Sequence, residues 1–237
     1  MSCAKHKNAM NAAFAPAEDD PGFYADLADG LHAMAQPLTI VRSAIAMLGR
    51  AGAGGPDQQR YLELATRQID RTCATFVTLQ NLVALKLEPA NPGAIDLRAL
   101  LTRMIEDRRA AFRENGIEIT ATAPELLPSV LADADRTEQA LAAVLDTAAA
   151  VCLHGDSLAI RTSQTDELVV VQVAGERGPH GDMSAARRLS LSLAKASVLS
   201  QCGRYRMVEE PFCITFALPA CTAVRHASEA FSEAYAS

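Results

Sequence analysis

The sequence predicts an α+β chain in two parts. A helical hairpin, expected to pair with a second copy as a dimeric four-helix bundle, precedes an α/β sandwich. Three observations predict it. Before residue 88, apolar residues recur at alternating spacings of four and three over two long stretches. After residue 116, alternation with a period of two appears between further helical stretches. Pro89-Ala90-Asn91-Pro92-Gly93 separates the two textures and reads as a linker.

The elements follow in order. Residues 1–20 read as an N-terminal tail, closed by Asp20-Pro21, which offers an N-cap and a proline at the first helical position. Leu27, Leu31, Met34, Leu38, Val41, Ile45 and Leu48 then form a heptad seam. Gly52-Ala53-Gly54-Gly55-Pro56 ends that helix and Asp57 opens the next, with Leu62, Ala65, Ile69, Thr72, Phe76, Leu79 and Val83 in the same rhythm. Two such helices on a short turn make an antiparallel hairpin, and one hairpin leaves its seam half uncovered. A homodimer is therefore expected through residues 21–88.

Residues 89–95 read as linker and 96–221 as the second domain. Asp96 caps a helix running to about Arg113, and Gly116 stands where a C-terminal glycine belongs. Ile117, Ile119, Ala121 and Ala123 alternate with polar residues as a half-buried strand, and a short strand lies near Val130-Leu131. A helix from about Asp135 to Val151 precedes strands at Ser157 to Thr162 and Glu167 to Val173. A helix from about Ala185 to Ser200 is closed by Gly203, and strands near Arg204 to Val208 and Cys213 to Leu218 finish the domain. Such an order fits a mainly antiparallel sheet with its helices on one face. The alanine- and serine-rich residues 222–237 read as a C-terminal tail.

Composition narrows the function classes. The chain has 237 residues, 49% of them hydrophobic, no tryptophan and a net charge of −6. No basic stripe favours nucleic acid or an anionic membrane. The best apolar run, Ala140 to Leu153, is short and holds Asp146, so no membrane span is expected. Met1 to Lys7 lacks a following hydrophobic region, so no secretory signal is read. Cysteines at 3, 73, 152, 202, 213 and 221 form no close CxxC pair, which fits reduced thiols in a cytoplasm. Cys152 with His154 is too sparse for a metal, and His154, His180, His6 and the Arg187-Arg188 pair read as surface.

One segment invites chemistry. His32-Ala33-Met34-Ala35-Gln36-Pro37-Leu38-Thr39 puts a histidine five places before a proline inside a helix. Proline there costs roughly 3 kcal/mol, because it removes an amide donor and crowds the carbonyl four residues back. His32 is one place off the seam and is expected to reach solvent, where imidazole can accept and release a phosphoryl group near neutral pH. Gln36, one turn on, could hydrogen-bond that group or a water; Thr39 and Arg42 are further candidates at a docking face.

These residues resemble the phosphorylation box of bacterial histidine kinases, H-E-x-x-x-P-L. Over residues 22 to 220 the chain resembles their transmitter core: a dimerisation and histidine-phosphotransfer hairpin, then an ATP-binding domain of the kinase/gyrase/heat-shock-ATPase type. The resemblance places the phospho-accepting histidine at His32 and the kink proline at Pro37. The second half keeps the family's element order, including Asp133-Ala134-Asp135-Arg136 and Gly203.

The departures concern ATP. The family's N-L-x-x-N-A, whose asparagines hold magnesium and phosphate, stands here as Ala143-Val144-Leu145-Asp146-Thr147-Ala148, with Ala150 at the next polar position. No aspartate replaces the adenine-reading D-x-G-x-G in Ala174-Gly175-Glu176-Arg177-Gly178-Pro179-His180-Gly181. The phosphate-side G-L-G-L becomes Ser190-Leu191-Ser192-Leu193, with about eleven residues between Gly178 and Ser190 for a lid. Phosphoryl transfer from ATP depends on positioning and magnesium, so the domain is expected not to use ATP. Ala33 removes the acidic neighbour that assists autophosphorylation.

The resemblance thus implies a histidine phosphotransferase of a two-component phosphorelay, without bound cofactor or metal. Response-regulator receiver domains are the expected partners and would supply the Mg2+. Two alternatives stand beside it: a divergent active sensor kinase, and a non-catalytic pseudokinase adaptor. An unrelated coiled-coil scaffold gives no reason for the second domain's element order.

Overall fold

The computed structural model describes residues 21–48, 56–165, 167–175, 183–209 and 211–221. Both tails, the Asp20 cap, the 52–55 turn and the 176–181 stretch with His180 lie outside the described residues. The chain divides into two compact units, Met1–Leu87 and Glu88–Ser237.

The first unit is a pair of helices, α1 (Pro21–Leu48) and α2 (Pro56–Leu87). The Lys86 ammonium lies 5.4 Å from the centre of the Phe23 ring, tying the start of α1 to the end of α2. The heptad seam read from sequence proves to be two faces. Gly30, Pro37 and Ala44 are buried beside Leu27, Met34, Val41 and Leu48 on the face of α1 turned to its partner. Ala65, Gln68, Thr75, Leu79 and Leu82 answer from α2. Leu31, Leu38 and Ile45 point away, continued by Tyr24, as do Leu62, Ile69 and Phe76; each is between 47% and 59% exposed. The reason is geometric: in a 3.5-residue repeat the two apolar positions flank the seam's midline, and each can face a different neighbour.

The second unit is a sandwich of three helices on a five-stranded sheet. The helices are α3 (Leu97–Glu114), α4 (Ala134–Val151) and α5 (Ala185–Leu199). The sheet runs β2 (Glu118–Thr122), β4 (Ser157–Gln164), β5 (Leu168–Gly175), β7 (Cys213–Pro219), β6 (Arg204–Val208). Only β2–β4 is parallel among these pairs. Leu158, Ile160, Val169, Val171, Val173, Ile214, Phe216 and Leu218 form the core face, each at most 2% exposed. The opposite face carries a polar row of Thr122, Arg161, Gln172, Thr215 and Arg206 across all five strands. Alternation along each strand makes both faces at once.

Several boundaries differ from the sequence reading; β4 and β5 each run two residues further, to Gln164 and Gly175. Gly93–Ile95, read as linker, is a strand (β1) paired antiparallel with β3 (Val130–Ala132). Three residues are too few to show a period. α4 begins at Ala134, with Asp133 as its cap.

Asp133 also anchors a polar cluster. Its carboxylate accepts from the amides of Arg136 (3.1 Å) and Asn91 (2.8 Å). The nearly buried Arg136 guanidinium donates to the Glu88 carbonyl at 2.5 Å and the Ser200 hydroxyl at 3.1 Å. Gln201 accepts from the Asp133 amide at 2.5 Å and donates to the Ser197 carbonyl at 2.9 Å. The start of α4, the end of α5 and the strand-entry segment are thereby joined.

Burial works to raise the Asp133 carboxyl's pKa, but the Asn91 and Arg136 amides and the Arg136 charge outweigh it, and the net direction is down. A lowered native pKa gives stability that is present above the unfolded value of about 3.9 and lost as pH falls through the native one. Melting curves of the wild type are expected to drop below pH 4 more steeply than those of Asp133→Asn. Arg136→Met should cost roughly 3 kcal/mol at neutral pH, since it strands buried acceptors; urea titration measures it.

Candidate functional site

His32 lies in the middle of α1 and is exposed, as are Gln36, Thr39 and Arg42. Their spacing of four, three and three puts all four on one helical face. Pro37, one place from Gln36, is buried against α2 while α1 continues unbroken through it. Pro37 has no amide hydrogen to give the carbonyl of Ala33, the residue next to His32. The Thr39 hydroxyl donates to the Ala35 carbonyl at 2.9 Å, and the Ser43 hydroxyl to the Thr39 carbonyl at 3.0 Å. Thr39 thus keeps only acceptor capacity for an incoming group. The helix offers one accessible imidazole, with a flexible amide above it and Leu31 and Leu38 alongside.

In the second unit, the positions that departed from the nucleotide-binding pattern have these surroundings. Thr147 is 3% exposed, and Ala143 is half-buried. Asp146, the carboxylate between them, turns outward to Arg108 on α3, with Nε to Oδ1 at 2.7 Å. Ser190 to Leu193 lie inside α5; the Ser190 hydroxyl donates to the Ala186 carbonyl at 3.1 Å, and Leu191 and Leu193 are buried. Helix amides are already bonded there, so that stretch gives no cradle of free N–H groups.

The remaining sequence candidates have structural partners. His154 packs over Gly116, whose φ is +66° and whose added Cβ would sit 2.5 Å from that ring. Burial, with Asp156 nearby, pushes the Cys152 thiol up to about 11, so it is inert as a nucleophile near neutrality. Among the described residues no group of three His, Cys, Asp or Glu side chains could hold a metal ion, and no helix is long and apolar enough to cross a membrane.

Comparison with known proteins gives this arrangement a context. No family model matches the chain. The adaptive-response sensory kinase SasA of Synechococcus sp. (strain CC9902) is 26% identical over 212 residues, covering 79% of this chain and 54% of that relative. The chain therefore spans about half the length of the curated relative it matches. The Acinetobacter baumannii histidine kinase AdeS superposes with a TM-score of 0.65 at 16% identity, over 80% of this chain and 96% of its own. Histidine kinase ThkA, solved in complex with the response regulator protein TrrA, also gives 0.65 at 16% identity, over 80% and 59%.

The chain has the fold of a histidine kinase transmitter core: a dimerisation and histidine-phosphotransfer hairpin followed by an ATPase-type α/β domain. It is histidine kinase-like in fold, with His32 exposed on the first helix of the hairpin.

Proposed function

We propose that this chain is a histidine phosphotransferase, accepting a phosphoryl group on His32 from a receiver aspartate and passing it to another receiver without using ATP. One observation supports it above the rest. The imidazole stands open to solvent on a continuous helix, while the places expected to hold ATP carry Ala143, a buried Thr147 and a closed helix turn at Ser190. A receiver brings its own magnesium, so the histidine has only to present a neutral nitrogen in line.

In the forward step that nitrogen attacks phosphorus, and the bond from phosphorus to the aspartyl oxygen breaks, releasing the carboxylate. The other ring nitrogen keeps its proton until solvent takes it. In the return step a second aspartate attacks, the P–N bond breaks and the imidazole leaves. Gln36 is placed to hold a phosphoryl oxygen. The partners are response-regulator receivers, reached by a homodimer in the cytoplasm.

The test is transfer of label from a phosphorylated receiver. Wild type is expected to take up acid-labile phosphate and His32→Gln none, with Gln36→Ala slower by about tenfold, the loss of one hydrogen bond to a charged group. Equal label on both chains would end this reading. Labelling with ATP alone would favour an active kinase, the reading that the name of the curated relative supports.

A further inference from the structure

A groove of about 360 Å³ runs between α5 and the edge strand β6, and Leu191 and Ser192 of its lining belong to the Ser190–Leu193 stretch described above. α5 lines it with Arg188, Leu191, Ser192 and Lys195, spaced three, one and three apart and therefore on one helical face. β6 contributes Tyr205 and Met207, which pair across the sheet with Phe216 and Ile214 of β7 and so share the core face. The floor is apolar: Leu191 is 5% exposed, and Tyr205, Met207 and Met183 are half-buried. The rim is charged, with Arg188, Lys195 and Glu209 all exposed, two cations against one carboxylate.

The Tyr205 hydroxyl oxygen is buried and has no hydrogen-bond partner among the described residues. Its burial pushes the phenol up to about 12, so it stays protonated and able to donate. Methionines at two corners supply an adaptable apolar surface. Grooves that hold small molecules are mostly apolar with a few placed polar groups, and occupy roughly 300–1,000 Å³; this one lies near the lower limit.

We propose that the α5–β6 groove binds a small ligand with a flat apolar body and one anionic group, the body lying on Met183, Leu191 and Met207. The anion meets Arg188 and Lys195 on the rim. The site is independent of phosphotransfer at His32, so either reading can fail alone.

The probe is 8-anilinonaphthalene-1-sulfonate, titrated against the full chain with methionine methyl groups followed by NMR. Saturable one-to-one binding is expected, with the largest shifts at Met183 and Met207. Arg188→Glu with Lys195→Glu should weaken it at least tenfold, as should replacing the probe by N-phenyl-1-naphthylamine, which lacks the sulfonate. No binding, shifts clustered elsewhere, or affinity indifferent to these charges or to the sulfonate would each overturn the proposal.

Discussion

Replacing Leu38 and Ile69 together by glutamate is expected to convert a dimer into monomers, weakening self-association by roughly 10³–10⁴-fold. The magnitude follows from exposure. Leu38 is 52% and Ile69 47% exposed in the single chain, so each has about half its side chain still to bury. Full burial of such a residue stabilises by roughly 1.5–3 kcal/mol, so the half remaining supplies about 1 kcal/mol. A twofold dimer holds four of these side chains, and about 4–5 kcal/mol of association is lost before charge is counted. Four carboxylates gathered in one seam then repel.

The outward stripe is the place to cut because it carries no chemistry and little of the hairpin's own packing. Between α1 and α2 the interior is thin, filled partly by Ala44, Ala65, Gln68 and Thr75. Seven large apolar side chains at seven-residue intervals on the outside form an unusually continuous patch for a chain that works alone. Sedimentation velocity over a range of concentrations measures the effect, with Arg42→Glu as a charge control outside the stripe. A wild type that stays monomeric, or a double variant that dimerises equally well, would remove the basis for a four-helix bundle.

That example also shows what the sequence made legible. Spacings of four and three announce a helix with a bundle seam, but they sum two faces whose separation depends on which neighbour each position meets. Leu31 and Met34 are equivalent in the pattern and differ in the fold, Leu31 exposed and Met34 half-buried. The exposure of His32 could be read because one step along a helix turns a side chain by about 100°. Burial of Pro37 could not, since it depends on α2. The short β1 escaped because its order comes from β3, thirty-seven residues away by register. The α5–β6 groove escaped for a similar reason. Arg188 reads as a solvated helix cation until β6 brings Tyr205 and Met207 beside it, and nothing in either segment's own period announces the other.

Gly203→Ala is expected to destabilise the second unit by roughly 1–3 kcal/mol, while Cys202→Gly, next to it, should stabilise by about 1 kcal/mol. Both follow from how α5 hands the chain to β6. The Cys202 backbone is left-handed, with φ at +59°, the conformation helices commonly reach with glycine as they end. The Gly203 amide donates back to the Val198 carbonyl at 3.1 Å, turning the chain sharply into the strand. A Cβ on Gly203 would lie 2.6 Å from the Ala217 carbonyl oxygen and 2.7 Å from that of Val198. Both are backbone atoms, so no change of rotamer relieves the contact; α5 or β7 must move. Cys202 is exposed, so its thiol adds little packing to set against the strain that glycine would remove. In a unit of this size each kcal/mol shifts melting by about 2–4 °C, and the two variants should move Tm in opposite directions. The turn also sets the spacing of α5 from β6. Gly203→Ala should therefore loosen the groove and weaken probe binding, whereas Cys202→Gly, which relieves the turn without moving it, should leave the groove's affinity unchanged.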